Sequence, residues 1–321
     1  MNARHLVTLA SALVLALAGT VSAANAQDSL KVAIGQINNW ENQAPTLGQD
    51  VGIFKKHNLV LDNFGTQGAG ETMQPIIAGS ADIGAGVGVA GVMRAFARGA
   101  PIRILAPMFT GTGDIYWYVR ADSPIKSLKD ATAEHTIAYS TSGSTSNNIV
   151  LAFVNDLGVK AKPVATGGPP GTFTAVMSGQ IDIGWSAPPF GLQEERDGKI
   201  RIIARGSDAK SLDGQTVRAL VVNANALKDR KDAIVRFVRA YRESVDWMYS
   251  NPDAIKRYAE KTRLPEALIK SSIEKFHPKS ALQTDAIKDV EGIMRDAVKL
   301  KFLDKPLTEQ QLAEFVQIPP R

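Results

Sequence analysis

Cysteine is absent from this chain of 321 residues. Its absence excludes disulfides, thiolate-ligated metals and a lipid-modified cysteine at a leader cleavage point. Histidine is almost as scarce, and no spacing among His57, His135 and His277 is typical of a metal site. The sequence therefore predicts no metal and no cofactor.

Long apolar segments are also lacking beyond the N-terminus. The apolar stretch at 6–18 is shorter than the roughly 20 residues that span a bilayer. Arg4 and His5 precede it, and an Ala-x-Ala site follows at 24–26. This pattern is typical of a cleavable signal peptide over 1–26, although a membrane anchor is the alternative. We expect a mature chain that begins at Gln27 and is free in the periplasm.

Charge and motifs favour a protein that is not an enzyme. The net charge of +5 is dispersed, and no basic block is interleaved with aromatics, so a nucleic acid is not an expected partner. Gly-x-Ser-x-Gly is absent, and the Ser-x-x-Lys match at Ser123 contains a proline that disfavours a catalytic helix. Asp82 and Asp182 each precede Ile-Gly at a strand end, where a role in the fold is more plausible than acid catalysis. No catalytic residue is predicted.

Strand and helix patterns alternate through the first two thirds of the chain. The first half predicts strands at 31–35, 59–64, 81–84 and 102–109 and helices at 46–57, 71–78 and 89–98. The second half predicts strands at 135–139, 162–165 and 180–183 and helices at 146–157 and 173–177. Such alternation favours parallel sheets covered on both faces, an α/β fold.

The two halves repeat one plan. At an offset of one hundred, Thr66, Gly68, Thr72, Gly79, Asp82, Ile83 and Gly84 match Thr166, Gly168, Thr172, Gly179, Asp182, Ile183 and Gly184. We therefore predict two similar lobes joined by crossover strands at 115–120 and 217–223. The remaining sequence has helical spacing, and Thr308 to Gln311 forms a capping box that opens the last helix. The predicted division is 27–120 plus 218–321 for lobe 1 and 121–217 for lobe 2.

Ligands of open parallel sheets bind beyond the carboxyl ends of the strands, where both halves carry glycine- and hydroxyl-rich loops. Ser142 to Ser146 lies between a strand and a helix, which favours an anion, although a plain N-cap is the alternative. Trp40 and Trp185 hold similar places and could sandwich an apolar ligand body, with core packing as the alternative. Gly86 to Gly91 matches G-x-G-x-x-G without the rest of a dinucleotide fingerprint, so we predict backbone approach to a small ligand.

Several motifs together resemble a known family. They are the glycines of 68–70, Ile77 to Gly84, Gly99 to Ile102, Ser123 to Asp130, and Ser142 to Ser144 opening a helix. The chain resembles the nitrate/sulfonate/taurine class of ABC-importer substrate-binding proteins. The resemblance implies a two-lobed periplasmic-binding-protein fold of type II, with two crossover strands, an interlobe cleft and C-terminal helices. It also implies a small-molecule ligand, an ABC permease at the inner membrane as partner, and a monomer.

The resemblance also implies which residues surround the ligand. Carried onto this sequence, the family's ligand shell falls on Asn39, Trp40, Gln67, Gly68, Val87, Gly88, Ser142, Gly143, Ser144, Thr145, Trp185 and Ser186. Near these loops the sequence offers Glu41 and Glu71 but no arginine or lysine, which disfavours nitrate and bicarbonate. The prediction is a small organic ligand of aromatic or sulfonate type, with a polar or anionic end. A sensing protein that docks on a receptor and a secreted enzyme on the same fold remain alternatives.

Overall fold

The computed structural model describes residues 27–282 and 284–321, so the predicted signal peptide at 1–26 lies outside the described residues. The strands in the described chain are β1 Asp28–Gly35, β2 Leu59–Thr66, β3 Ile83–Gly88, β4 Ile102–Thr110, β5 Tyr116–Arg120, β6 Thr136–Tyr139, β7 Lys162–Ala165, β8 Gly184–Ser186, β9 Ile200–Arg205 and β10 Thr216–Asn223. The helices are α1 Ala44–Asp50, α2 Ile53–Lys56, α3 Ala69–Ile77, α4 Val89–Ala97, α5 Thr145–Leu157, α6 Pro169–Met177, α7 Leu192–Arg196, α8 Ala224–Asp229, α9 Lys231–Ser250, α10 Asp253–Thr262, α11 Glu266–Phe276, α12 Val290–Lys299 and α13 Glu309–Phe315.

The first lobe is built on a five-stranded sheet in the order β2-β1-β3-β10-β4. Strand β1 is parallel to β2 and β3, whereas β10 is antiparallel to β3 and β4. Every residue of β10 is buried, as expected for a strand covered on both faces. On one face Leu220 packs in a core with α1 and α9, and on the other face Val221 packs in a core with α3 and α4.

The second lobe repeats this arrangement. Strands β8-β5-β9 form one sheet and β6-β7 another, and a parallel bridge between Ile137 and Ile183 joins them. The combined order β7-β6-β8-β5-β9 corresponds to that of the first sheet, with β5 in the place of β10. Both strands are antiparallel to their neighbours. Each sheet therefore receives its antiparallel strand through a crossover from the other sheet.

The pairing of β5 moves the expected lobe boundary. The sequence analysis assigned residues up to 120 to lobe 1, but Tyr116–Arg120 hydrogen-bonds to β8 and β9 in the second sheet. The first crossover therefore lies at 111–115, and the return lies at 206–215 between β9 and β10. The sequence pattern identified the strand but not its sheet, because a strand buried on both faces has the same apolar pattern in either lobe.

The repeated aspartates support the fold, as predicted. Asp82 Oδ2 accepts a hydrogen bond from the backbone N–H of Lys31 at 2.8 Å, and Asp182 Oδ2 accepts one from Thr136 at the same distance. Each carboxylate thus links the segment just before one parallel strand to the backbone of the neighbouring strand. Asp82 Oδ1 also accepts from Arg230 Nη1 at 2.9 Å, and Asp182 Oδ2 also accepts from the Thr136 hydroxyl at 2.8 Å. The two aspartates serve different sheets, so they do not form a catalytic pair.

Two local predictions had different outcomes. The helix expected over 46–57 is divided into α1 and α2 at Gly52, whose φ of +80° is left-handed and ends the first segment. The capping box is confirmed, because the Thr308 and Gln311 side chains each bond the other's backbone at the start of α13. Within 27–282 and 284–321, no helix has both the length and the apolar character needed to cross a bilayer.

Candidate functional site in the interlobe cleft

The two lobes touch where glycines of the first meet a glycine of the second. A Cβ on Gly88 or Gly91 would lie 2.6 or 2.3 Å from the backbone oxygen of Gly143. Such distances are far inside van der Waals contact, so only glycine permits this approach. The glycine motif was predicted to admit a small ligand to the backbone; here it admits the backbone of the other lobe.

Hydrogen bonds continue the contact along the cleft. The backbone N–H of Gly70 donates to Thr141 Oγ1 at 3.0 Å, and Gly168 N–H donates to Gln67 Oε1 at 3.1 Å. At the rear, Thr145 Oγ1 donates to the carbonyl of Val217 at 3.1 Å. The structure therefore represents a state in which the lobes are closed on each other.

Cavities remain between the lobes, among them an inner and an outer one along the cleft. The inner one has about 30 Å³, room for on the order of one or two waters, and both lobes line it. Its lining includes Gln36, Asn39, Glu41, Gly68, Ser144, Thr145, Ser146, Trp185 and Arg218. The outer cavity at the cleft mouth has about 240 Å³. Its lining includes Gln36, Ile37, Asn39, Gln67, Pro169, Pro170 and Phe190.

The serine-rich loop before α5 is held by its own hydrogen bonds. Ser144 is the N-cap of α5 and accepts from the Asn147 N–H at 3.1 Å, while its hydroxyl lies 3.0 Å from that of Ser146. The Gly143 N–H, which was expected to face an anion, instead donates to Asn147 Oδ1 at 3.0 Å. The N-cap alternative therefore describes Ser144, although the side chain still lines the inner cavity.

The predicted tryptophan sandwich is wrong, because Trp40 lies in the core of the first lobe and is 1% exposed. Its ring packs edge-on against Tyr258 at 5.2 Å between centroids, and its Nε1 donates to Tyr249 at 3.0 Å. Trp185 does line the inner cavity, and its Nε1 donates to the Gly167 carbonyl at 3.2 Å. Core packing thus describes both residues, since Trp185 is 2% exposed, but Trp185 alone also lines the inner cavity.

The other predicted residues divide between the cleft and its surroundings. Val87 is fully buried in β3, where it pairs with Ala219, so it does not reach the cleft. Ser186 is buried with its Oγ donating to the Phe190 carbonyl at 3.1 Å, and it lines a cavity of about 340 Å³ in the second lobe. Ser142 is exposed and meets Gly70 through its backbone oxygen.

Arg218 is a cleft residue that the sequence analysis missed. It lies on β10, is 5% exposed and lines the inner cavity, so the expectation of no cation near these loops is wrong. Its guanidinium donates to Asp114 in the first crossover and stacks over Phe109, 4.5 Å from the ring centroid. The available signal was a single charged residue within the otherwise apolar strand 217–222.

Two more titratable groups surround this ion pair. Glu41 is 2% exposed, and its Oε2 lies 3.4 Å from Nε2 of the fully buried His277, within ion-pair range but without hydrogen-bond geometry. Burial alone would raise the pKa of Glu41, but His277 and the charge of Arg218 outweigh it and lower the pKa to about 2. Burial raises the pKa of Asp114 to about 6, against the attraction of Arg218 and with the repulsion of Glu41.

Comparisons with known proteins agree with this architecture. A family model described as "NMT1/THI5 like" matches residues 27–255. The alkanesulfonate-binding protein SsuA of Xanthomonas axonopodis pv. citri, solved with MOPS, is similar in structure with a TM-score of 0.74. It is 14% identical, and the alignment covers 91% of this chain and 98% of that one. A search of curated proteins finds no match.

Two further solved structures share the fold. The periplasmic aliphatic sulphonate-binding protein SsuA of Escherichia coli has a TM-score of 0.69 at 17% identity, over 91% of this chain and 93% of that one. The desulfurization enzyme DszB has a TM-score of 0.62 at 15% identity, over 91% and 96% of the two chains. The predicted periplasmic-binding-protein fold is therefore confirmed, while these identities carry no ligand from one protein to another.

Proposed function

The chain belongs to the NMT1/THI5-like family, and from this premise we propose that it is the solute-binding protein of an ABC importer. It would be exported to the periplasm, bind a small organic anion between its lobes and present it to a permease at the inner membrane. Similarity in fold to sulfonate-binding periplasmic proteins supports this role. So does the start of the family match at 27, where the mature chain is expected to begin.

The observation that carries the proposal is the lining of the inner cavity. Arg218 from the first sheet and Ser144 and Thr145 from the second lobe line the same space. Arginine provides planar donors suited to carboxylate and sulfonate oxygens, and Arg218 Nε has no hydrogen-bond partner. An anionic group is therefore the chemistry that both sides of the cleft can bind together.

The outer cavity supplies room for the rest of the ligand. Its lining combines apolar Ile37, Pro169 and Phe190 with the amides of Asn39 and Gln67. A volume of about 240 Å³ is near the lower end for small-molecule pockets. It fits a compact aliphatic or aromatic body better than a large one. We therefore propose a sulfonate or carboxylate head at the inner cavity and an apolar body toward the mouth.

Binding would stabilise the closed state because only that state brings both linings to the ligand. The Gln67–Gly168 and Gly70–Thr141 hydrogen bonds join the rims in this conformation. The open state would expose the same groups to water and admit the ligand. Closure would then create the composite surface that a permease recognises.

We further propose that the protein binds its ligand without chemical turnover. The fold also supports an enzyme, DszB, so the distinction rests on this cleft. The hydroxyl of Ser144 is engaged in capping α5 and in the contact with Ser146, and neither of these partners is a base. A binding protein predicts that changes in the cleft weaken affinity while the ligand is recovered unaltered.

A thermal-shift screen tests the proposal directly. We expect alkanesulfonates, aromatic sulfonates or aromatic carboxylates to raise the melting temperature, because a ligand that binds only the native state stabilises it. Uncharged analogues of the same size should have no effect. Small-angle scattering should show a smaller radius of gyration with the active compound, and chromatography should return that compound unchanged.

Matched arginine variants identify the anion site. R218K keeps the charge but loses the planar donor set, and we expect it to weaken binding at least about tenfold. R103K is the control, because Arg103 pairs with Glu314 away from the cleft. The proposal is overturned if charged and uncharged analogues stabilise equally, or if R218K and R103K bind the active compound as the wild type does.

A further inference from the structure

Three buried side chains behind the cleft carry polar atoms without hydrogen-bond partners. These atoms are Glu41 Oε2, Asp114 Oδ1 and both ring nitrogens of His277, on side chains that are 2%, 0% and 0% exposed. Buried polar atoms in folded proteins are nearly always satisfied, and an orphaned one indicates a water or an ion. Three of them on neighbouring side chains indicate a single occupant that all three share.

The three side chains also meet the geometric requirement for a common ligand. One donor atom from each of Glu41, Asp114 and His277 lies within 4.8 Å of the other two. The pair His277 Nε2 and Glu41 Oε2 is already 3.4 Å apart, about the edge length of a tetrahedron around a cation at roughly 2 Å. A small inward movement of Asp114 would complete three ligands.

Neighbouring groups hold the carboxylates in place. Asn39 Nδ2 donates to Glu41 Oε1 at 3.2 Å, which leaves Oε2 directed to the cluster. Arg218 donates to Asp114 Oδ2, which leaves Oδ1 without a partner. Each carboxylate therefore has one oxygen fixed by a neighbour and one oxygen free, the arrangement that supporting residues give to metal ligands.

Burial makes unpartnered carboxylate oxygens costly at this place. The three side chains are 0–2% exposed, and a buried carboxylate without a partner destabilises the fold. A cation would engage Glu41 Oε2, Asp114 Oδ1 and His277 Nε2 together. Glu41 also lines the inner cavity, which supplies a path from the cleft.

We propose that Glu41, Asp114 and His277 form a binding site for one divalent first-row transition-metal ion. One imidazole and two carboxylates are a mixed nitrogen and oxygen set that suits Zn²⁺, Fe²⁺ or Co²⁺ better than Ca²⁺. Three protein ligands leave a position for water on the cleft side. The inference does not rest on the proposed function, although the two sites adjoin, because Glu41 lines the inner cavity and Arg218 contacts Asp114. The sequence offers no spacing signal, because its ligands stand at 41, 114 and 277.

The test measures the metal itself. Chelator-stripped protein is titrated with Zn²⁺ by calorimetry, and the metal retained after gel filtration is measured by elemental analysis. We expect one equivalent in the wild type and at least about 100-fold weaker binding in H277Q and E41Q. H57Q and H135Q are the controls, because His57 pairs with Glu243 and His135 with Thr132, and both should bind like the wild type.

The visible absorption spectrum of Co²⁺ bound to the wild type tests the metal site without any variant. It therefore applies even if the substituted proteins do not fold. Stoichiometric Co²⁺ in the wild type should give the intense visible bands of a low-coordinate nitrogen and oxygen site. The weak spectrum of the hydrated ion would overturn the proposal. So would a wild type that retains no stoichiometric Zn²⁺, or folded H277Q and E41Q proteins that retain a full equivalent.

Discussion

Replacing Gly91 by alanine should separate the two lobes. The added Cβ would lie 2.3 Å from the Gly143 oxygen, roughly 1 Å closer than ordinary van der Waals contact. Because the obstacle is backbone, no side-chain rotation relieves it, and either the loop before α5 moves or the closed state is lost. Overpacking of this kind costs about 1–3 kcal/mol. The closed population should fall by about 5- to 150-fold relative to the open one.

Gly171→Ala is the matched control for this variant. Gly171 is the third residue of α6, as Gly91 is of α4, so both substitutions exchange glycine for alanine at the same helix position. A Cβ on Gly171 would meet the Thr166 oxygen at 3.5 Å, an ordinary contact. Alanine should therefore be neutral or slightly stabilising there.

Small-angle scattering in the presence of a fixed concentration of a compound identified by thermal shift measures the outcome. G91A should have a larger radius of gyration than the wild type, and G171A should not. Any ligand identified by thermal shift should bind G91A more weakly, since apparent affinity scales with the population of the competent state. A G91A scattering profile that superposes on those of the wild type and G171A would refute the reasoning.

Three further changes test the fold. W40A should lower the free energy of unfolding by about 3–5 kcal/mol in urea denaturation, because Trp40 fills the core; a loss below about 1 kcal/mol would contradict this. D182A should cost about 1–3 kcal/mol by the same assay, because it leaves the Thr136 N–H without its acceptor; an unchanged midpoint would contradict the structural role. Burial alone would raise the pKa of Asp156, but the hydrogen bonds from Lys299 and Ser211 outweigh it and lower the pKa. The ionised carboxylate therefore stabilises the folded state above its ordinary pKa, and this contribution is lost as the pH falls. D156N should therefore be less stable than the wild type by about 1 kcal/mol at neutral pH and equal to it near pH 2.

The repeat is the part of the fold that the sequence predicted best. Its matched threonines interact with partners close in sequence. Thr66 Oγ1 lies 2.7 Å from Thr72 Oγ1, and Thr166 Oγ1 lies 2.6 Å from Thr172 Oγ1. Each pair links a strand end to the helix that follows it within six residues. Interactions this local leave a residue-level signature, so the loop–helix–strand unit could be located from sequence in both halves.

The central chemistry of the cleft left no such signature. Asp114 lies in the first crossover and Arg218 on the strand after the second, and they meet only because the sheets exchange β5 and β10. Glu41 was noted as a charge near the loops, but nothing local indicated that His277 would lie beside it. Trp40 was misplaced for the same reason, since Tyr258, the ring that buries it, is more than two hundred residues away.

The strand exchange also explains why the buried charges lie where the lobes are joined. The two crossovers run side by side, with the Gly111 N–H donating to the Gln215 carbonyl and the Gly206 N–H to the Ile115 carbonyl, each at 2.8 Å. The Asp114–Arg218 ion pair links the first crossover to β10 just after the second, and Arg218 lines the inner cavity. A ligand anion that binds Arg218 would therefore weaken its ion pair with Asp114, in the segments about which the lobes would rotate. In this architecture binding and closure share one side chain, so a change at Arg218 should alter the ligand-free conformation as well as the affinity.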